Sequence, residues 1–404
     1  MKSLKIFLGA SYVCPRRSLD LVKLKKYFIK NNCKIVTQAK EADYIIYIAC
    51  GFIEPYFKQS LDTITKLNCL NSELIVGGCL KDIDNKRLKK AFNGKSFSTR
   101  RLEEIEKYFP YFRHKFNEIS DSNSFHDYGC LGNIQEGIIG ENKYVLKHPF
   151  KIFLSGLKNK LLRIHDTCDP WVLRIAHGCN AHCTYCSHIK AIGPYKSKNI
   201  RVCSSEFIKG YKKGYRAFFI TAMDVGPYGI CENTTFPQLI KCLSKIRNNV
   251  EFIIDEFNPA WLVKYEQEIS DLCRQGKITE ISIPIQSGNQ RILKLMKRYP
   301  FLSKLKKTIK TLKKANKNII LKTQIIIGFP TETETEFEDT LRFVKEADFD
   351  YSYIWPYYEN KYMASKTIKP KCPKKIINNR VKKANNFFKK NKIEFISHKF
   401  SSEL

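Results

Sequence analysis

The amino-acid sequence predicts an α/β chain of 404 residues, with a small parallel sheet near the N-terminus and a larger one after it. Short apolar runs of strand length recur along the chain, and segments with apolar residues at helical spacing lie between them. In addition, several cysteines stand just past the ends of these apolar runs.

In chain order, residues 4–9 (LKIFLG) predict a first strand, and the spacing of Leu19, Val22, Leu24 and Phe28 predicts a helix over 18–31. Residues 43–50 (DYIIYIAC) and 73–79 (ELIVGGC) predict two further buried strands, each ending in a cysteine. This gives a domain over residues 1–95. Residues 96–165 read as a linker: 96–114 is charged and helix-compatible, four glycines between 129 and 140 suggest loops, and 150–164 suits an amphipathic helix. Cys130 and Cys168 lie in or beside it and read as structural.

From residue 166 to 365 strands and helices alternate. The strands are expected at 172–176, 217–222, 250–256, 280–285, 318–327 and 351–356, with helices near 204–214, 235–247, 261–274, 288–297, 302–316 and 334–346. Such alternation implies a parallel sheet with helices outside. Thr331 and Glu334 have the spacing of a capping box opening the last of these helices. Residues 366–404 read as a basic helix or tail.

Composition bounds the function. Lys and Arg number 71 against 39 acidic residues, giving a net charge of +32 and a pI near 9.5, which favours a polyanionic partner such as RNA. Most of the basic residues are lysine, so drift in composition is an equally simple source of the charge. No stretch reaches the length of a membrane span, and the IFLGA run is too short for a signal core. Fifteen cysteines without a secretory signal point to a reducing cytoplasm and to thiols kept for metal.

The chemistry centres on residues 171–194, WVLRIAHGCNAHCTYCSHIKAIGP. A buried strand ends at Gly178, and Cys179, Cys183 and Cys186 follow at C-x3-C-x2-C spacing. Three thiolates can hold three corners of a four-iron cluster that normally takes four, leaving one iron open for a small molecule. Zinc is the alternative, with His182 or His188 as fourth ligand. A disulfide framework does not suit so long a chain with an odd cysteine count. Cys14, Cys50 and Cys79 sit past strand ends, where open α/β sheets bind ligands. By position alone they can be a second cluster or buried small hydrophobes.

The C-x3-C-x2-C motif, with Tyr185 before its last cysteine, resembles the signature of the radical S-adenosylmethionine (SAM) superfamily. CPRRSLD (14–20), ADYIIYIACGFIEP (42–55) with SLDTI (60–64), and IVGGCL (75–80) resemble the three cysteine motifs of the methylthiotransferase N-terminal domain. The resemblance implies two [4Fe–4S] clusters, one on Cys179, Cys183 and Cys186 that cleaves SAM, and an auxiliary one on Cys14, Cys50 and Cys79 that carries sulfur. It implies a partial (β/α)6 TIM-like barrel for the second domain. It also implies SAM contacts by Tyr185, by Asp224 and Gly226 of TAMDVGPYG (221–229), by Glu256, with Asn258 as the alternative, of DEFNPAWL (255–262), by Gln286 and Ser287 of IPIQSGNQRILKLMKR (283–298), and by Gly328 of IIIGFPTETETEFEDT (325–340). Gly226 and Gly229 would let backbone approach the ligand, and Gln286 and Ser287 would point into the cavity. Apart from the cluster ligands no catalytic side chain is expected.

The reaction so implied is transfer of sulfur and a methyl group into an unactivated C–H bond, giving C–S–CH3. A 5′-deoxyadenosyl radical takes the hydrogen, and a second SAM supplies the methyl group. A flavodoxin- or ferredoxin-like electron donor and a cytoplasmic monomer are expected. The substrate expected first is a tRNA adenosine, since tRNA enzymes are the larger part of the family. The alternative is an aspartate of a ribosomal protein or another peptide, which the C-G-F-I run of the second motif favours. A further alternative is another radical-SAM enzyme, or a basic iron–sulfur RNA-binding protein. The chain departs from the family in lacking room for a C-terminal TRAM RNA-binding domain after the barrel, in Leu21, and in Ile192 where an arginine is usual. Residues 296–318 carry nine basic residues and no acid, and residues 366–404 carry twelve against two, so the two runs together suggest an RNA or ribosome footprint.

Overall fold

The computed structural model describes residues 3–10, 15–124 and 170–397. The chain divides into two compact units, residues 1–155 with 187–194, and residues 156–186 with 195–404.

Among the described residues the first unit holds a sheet of five parallel strands: β1 Lys5–Ala10, β2 Lys34–Val36, β3 Tyr44–Ile48, β4 Glu73–Gly77 and β5 Lys95–Ser96. Their spatial order is β2-β1-β3-β4-β5. Helices α1 Pro15–Lys30, α2 Glu54–Leu67 and α3 Cys79–Ala91 connect them. Successive strand side chains point to opposite faces. Ile6, Leu8, Ile46 and Ile48 pack with Leu21, Leu24 and Phe28 of α1, while Phe7, Ile45, Tyr47 and Val76 pack with Phe57, Ile64, Leu80 and Leu88 of α2 and α3. Both faces are covered, which is why the strands read as unbroken apolar runs.

The three N-terminal strands and the first helix predicted from sequence are present. β2 and β5 are additional, being too short to register as periodic runs. The segment expected to be linker begins inside this unit. Phe97, Leu102, Ile105, Phe109, Phe112 and Phe116 join the α1 core, where Phe28 and Phe109 meet edge to face with centroids 5.1 Å apart. Instead of an α-helix over 96–114, a 3-10 helix spans Leu102–Tyr108. The charged residues between the aromatics hid a core segment. The helix expected over 150–164, and Cys130 and Cys168, lie outside the described residues.

Among the described residues the second unit contains seven parallel strands in sequential order: β6 Trp171–Arg174, β7 Ala217–Thr221, β8 Glu251–Ile254, β9 Ile278–Gln286, β10 Ile320–Ile327, β11 Tyr351–Pro356 and β12 Glu394–Ser397. A short helix, α4 Ile189–Ile192, belongs to the first unit. The crossovers of the second unit are α5 Ile200–Lys212, α6 Phe236–Ile246, α7 Pro259–Lys264, α8 Glu266–Arg274, α9 Gln290–Leu295, α10 Leu302–Ala315, α11 Glu334–Glu346 and α12 Lys374–Lys390. The six predicted strands are all there. The continuous helix expected over 261–274 is broken at Tyr265, which caps α7 and precedes α8. The basic C-terminal run is built into this unit: α12 packs Ile377, Val381, Ala384 and Phe388 into the core, and β12 pairs with β11 from Tyr351↔Glu394 to Ile354↔Ser397. The sheet thus runs past residue 365 into the segment read as a tail.

Alternation along each strand divides the two faces. Phe218, Ile220, Ile254, Ile281, Ile283, Leu321, Ile325 and Ile354 lie in the main core under the helices. The opposite face is mixed, with polar side chains set among Phe219 and Ile253. Glu280 and Lys322 form a 2.5 Å ion pair with both side chains 6% exposed, Gln324 donates to Glu256 at 2.7 Å, and Thr221 donates to Asp255 at 2.8 Å. A lining of this kind suits a cavity for polar ligands.

Candidate functional site

The cysteine loop of the second unit leaves β6 and is pinched at its base. Ala176 pairs with Ser197 and His177 with Lys196 in a short antiparallel bridge, so the intervening residues form a closed loop. Cys179, Cys183 and Cys186 are all partly exposed there. The Ala181 amide donates to Cys179 Sγ at 3.4 Å. Burial pushes the Cys179 thiol above its ordinary value. Thr184 anchors the loop between its last two cysteines. Its amide donates to Met296 O at 3.1 Å, its hydroxyl to Leu295 O at 2.8 Å, and its carbonyl accepts from the Ser365 amide at 2.8 Å.

Arg298 is the residue that sequence reasoning missed. Its Nη1 lies 3.8 Å from Cys183 Sγ and its Nη2 donates to Pro284 O at 2.5 Å. Burial works against the Arg298 charge, yet Tyr185, Cys183 and Asp224 hold the guanidinium protonated, above the usual arginine value. Arg298 was read as one more member of a basic run. The available signal was its type, the one arginine among the lysines of 296–318, since a planar fork suits fixed polar contacts better than an ammonium.

The predicted SAM contacts divide. Tyr185 packs against an apolar cluster of Ile292, Met296, Phe329 and Tyr357. Burial holds its hydroxyl well above the usual value. Asp224 is 3% exposed. It accepts from the amides of Gly226 at 2.9 Å and Asn258 at 3.4 Å, and burial pushes its carboxyl up to about 6. Glu256 and Gln286 stand past or at the ends of β8 and β9 with φ of 53° and 72°. For residues with a side chain this left-handed backbone costs energy, and such strain gathers at ligand sites. Asn258 spends its side chain as the cap of α7, accepting from the Ala260 amide at 3.1 Å.

Three expectations are corrected. Ser287 does not point into the cavity. It is fully buried, and its hydroxyl lies 3.2 Å from Thr340 Oγ1 on α11 and accepts from the Asn289 amide. Gly226 does not open space for a ligand, because a Cβ there would strike the Trp261 side chain; for Gly229 (φ 81°) the obstacle is the Thr234 backbone. At Gly328 (φ 82°) an added Cβ would meet Ile377 of α12, so packing requires glycine there. The capping box is Thr333 with Glu336, one TxxE repeat later than Thr331 with Glu334. Thr331 instead takes φ 70° and accepts Arg291 at its hydroxyl and carbonyl.

In the first unit Cys50 and Cys79 follow β3 and β4, while Cys14 lies outside the described residues. The Ser60 hydroxyl accepts from the Cys50 amide and donates to the Cys50 carbonyl, both at 2.9 Å. Cys79 is buried and is the first residue of α3, and the next amide, Leu80, donates to Ala49 O at 3.2 Å. Gly78 adopts φ 102° with its Cα against the Ala49 backbone, and a Cβ on Gly51 would come 2.9 Å from Leu80 Cα. The two cysteine loops therefore interlock. Segment 187–194 packs on the same unit: Ser187 donates to Phe52 O at 3.2 Å, His188 stacks on Phe52 at 4.4 Å, and Thr99 donates to Ala191 O at 2.5 Å. Ile192 is buried there, an apolar use of the position where an arginine was expected.

Among the described residues no group of three or more His, Cys, Asp and Glu converges as ligands of one metal ion. That gives no support to the single-zinc alternative. Cubane ligands each bind a different iron and need not converge on one point. Asp224 Oδ2 and Arg298 Nε are both buried without a partner, and flank this loop as polar atoms waiting on a ligand would. The thiol set and these orphaned atoms fit a three-cysteine cluster with a small polar ligand beside it.

The Radical SAM superfamily matches residues 173–344, and Uncharacterized protein family UPF0004 matches residues 7–98. The ribosomal protein uS12 methylthiotransferase RimO of Caldanaerobacter subterraneus subsp. tengcongensis is 29% identical over 374 residues, spanning 90% of this chain and 78% of its own. That of Clostridium botulinum is 29% identical over 340 residues, spanning 81% and 70%. Among solved structures, the radical SAM methyltransferase TsrM of Kitasatospora setae, with cobalamin and a [4Fe-4S] cluster bound, aligns at a TM-score of 0.61 and 11% identity over 90% of this chain and 77% of its own, a likeness of fold.

Proposed function

We propose, from the premise that the chain belongs to the radical-SAM methylthiotransferase family, that it acts on a ribosomal protein side chain. The enzyme is a transferase that depends on SAM and two [4Fe–4S] clusters. What carries the protein substrate is likeness over 90% of the chain to an enzyme named for ribosomal protein uS12. The first expectation, a tRNA adenosine, finds no support among the relatives reported above, whereas its alternative does.

When bound, the clusters and SAM supply the radical, the sulfur and the methyl group. In our reading the chain's residues hold and orient them. Cys179, Cys183 and Cys186 are the ligands at one site. Arg298 sets a fixed positive charge beside Cys183, and Thr184 fixes the loop to the start of the same segment. Asp224, Glu256 and Gln286 line the strand ends with polar atoms, and Tyr185 with the apolar cluster it packs against forms an apolar wall. Cys50 and Cys79, with Cys14, are the ligands at the other site, and Ser60 clamps the Cys50 backbone. Such prior positioning can lower a barrier by roughly 7–11 kcal/mol.

Mass spectrometry of digested ribosomal proteins and of tRNA nucleosides, with and without the gene, tests this reading. A methylthio group lost from a peptide of the uS12-type protein, with nucleosides unchanged, is the expected result. Loss of a 2-methylthioadenosine derivative with unchanged peptides would overturn the protein substrate.

A further inference from the structure

Both basic runs keep exposed lysines outside any ion pair among the described residues, but the row on α10 is the one that starts beside an exposed aromatic. α11 lies between α10 and α12 in the order of crossovers and carries the acids that neutralise its neighbours. Glu346 pairs with Lys306 at 2.8 Å, and Glu334 holds Arg380 at 2.9 Å and Lys383 at 2.5 Å. Lys313 turns to Asp350. The two runs therefore do not form one surface. On α10, Lys304, Lys307, Lys310 and Lys314 are exposed and make no ion pair within 4 Å among the described residues. Their three- and four-residue spacing puts the last three on one stripe about 10 Å long. At the start of the helix Phe301 is 60% exposed, and Tyr299 meets it edge to face at 5.4 Å. Phe301 stands three residues, and the first lysine of the row six residues, after Arg298, the residue against Cys183.

We infer that this face of α10 is a docking surface for RNA. Its lysines would contact successive phosphates, and Phe301 would stack on an unpaired base. A row of cations ending in an exposed aromatic is the pattern of single-stranded nucleic-acid binding, in which charge tracks the backbone and the ring takes a base. An acidic peptide would use the cations and leave Phe301 without a purpose, so RNA is the occupant the observations favour. The inference goes beyond the proposed substrate: a protein carried on RNA could be presented to the site at the end of the stripe.

The test is fluorescence anisotropy of a labelled 20-nucleotide single-stranded RNA of mixed sequence with the full-length reconstituted enzyme, over a range of salt. The K304Q/K307Q/K310Q/K314Q variant is expected to flatten the plot of log affinity against log salt by roughly 3, about 0.7 for each lost phosphate contact. Phe301→Ala is expected to weaken binding about fivefold or more with the salt slope unchanged. A charge-matched control, K375Q/K382Q/K389Q/K390Q on α12, should leave both nearly unchanged. Thermal melts and the basal cleavage of SAM confirm that each variant is folded. Equal losses in the two quadruple variants would overturn the inference in favour of diffuse charge. So would absence of RNA binding by the unaltered enzyme, or no loss in the α10 variant. Peptide methylthiolation is read separately, so failure here leaves the substrate assignment standing.

Discussion

Around Cys50 and Cys79 the backbone sets the geometry, whereas around Cys179, Cys183 and Cys186 charged and aromatic side chains do. In the first region Gly78 at φ 102° presses on Ala49, Gly51 abuts Leu80, and Ser60 grips both polar atoms of the Cys50 peptide unit. In the second, Arg298 reaches Cys183, Asp224 is buried with one oxygen unpaired, and Tyr185 packs against the apolar cluster that includes Met296 and Phe329. The difference matches two tasks. A site that only has to hold a group in place is best built from rigid, neutral backbone. A site that must bind a polar ligand and pass charge needs prearranged ionic groups in a dry setting.

The largest effect that would break the contrast is expected at Gly78. Alanine there must either adopt a left-handed backbone or strike Ala49, costing about 3 kcal/mol or more. Denaturant unfolding should show that loss, and the refolded, reconstituted protein should hold roughly half the iron if only the Cys50 and Cys79 site is spoiled. Next comes Arg298→Gln. It should keep its iron and lose roughly tenfold or more in the rate of 5′-deoxyadenosine formation from SAM, a change of about 1.4 kcal/mol in the barrier. Arg298→Lys should fall between. A Gly78 variant that keeps its iron, or an Arg298 variant that loses it, would reverse the roles assigned to backbone and side chain. Ser60→Ala is a smaller version of the first test. It strands the Cys50 amide and carbonyl and should cost about 1–3 kcal/mol by the same unfolding measurement.

This contrast also explains what could be read from the sequence. Strand runs such as YIIYI and ILKTQIII, and the two cysteine spacings, were legible because burial on a sheet and ligand spacing are local patterns. The core role of Phe109, Phe112 and Phe116 was not, because their spacing follows a 3-10 helix and turns, with charges between them. Ser287 was misplaced for a different reason. Its direction is fixed by Thr340, 53 residues away, and no local pattern records that partner. Arg298 was hidden by its company, since a run of lysines reads as a solvated face. The ambiguity in TETETE, where the box could start at Thr331 or Thr333, was decided by Arg291 taking Thr331.

The same contrast also locates a sensitivity to pH. Glu332, in the loop after β10, is 6% exposed. Its Oε2 accepts from the Gly328 amide at 2.7 Å and from Arg380 at 3.1 Å. Burial outweighs both and pushes its carboxyl up to about 7 from the ordinary 4.5. Between those values the folded state binds the proton that the unfolded chain has released, so stability falls as pH rises through the window and is level above it. Below 4.5 both states are protonated and the penalty is absent. The full effect is about 3 kcal/mol. Glu332→Gln should lose this slope while keeping the rest of the profile, as followed by denaturant midpoints from pH 4 to pH 8, a range set by the direction of the shift. If the two proteins trace parallel curves, Glu332 is ionised throughout against Arg380. The loop that carries Gly328 would then be held to α12 by an ion pair, and its rigidity would have the ionic origin seen beside Cys183.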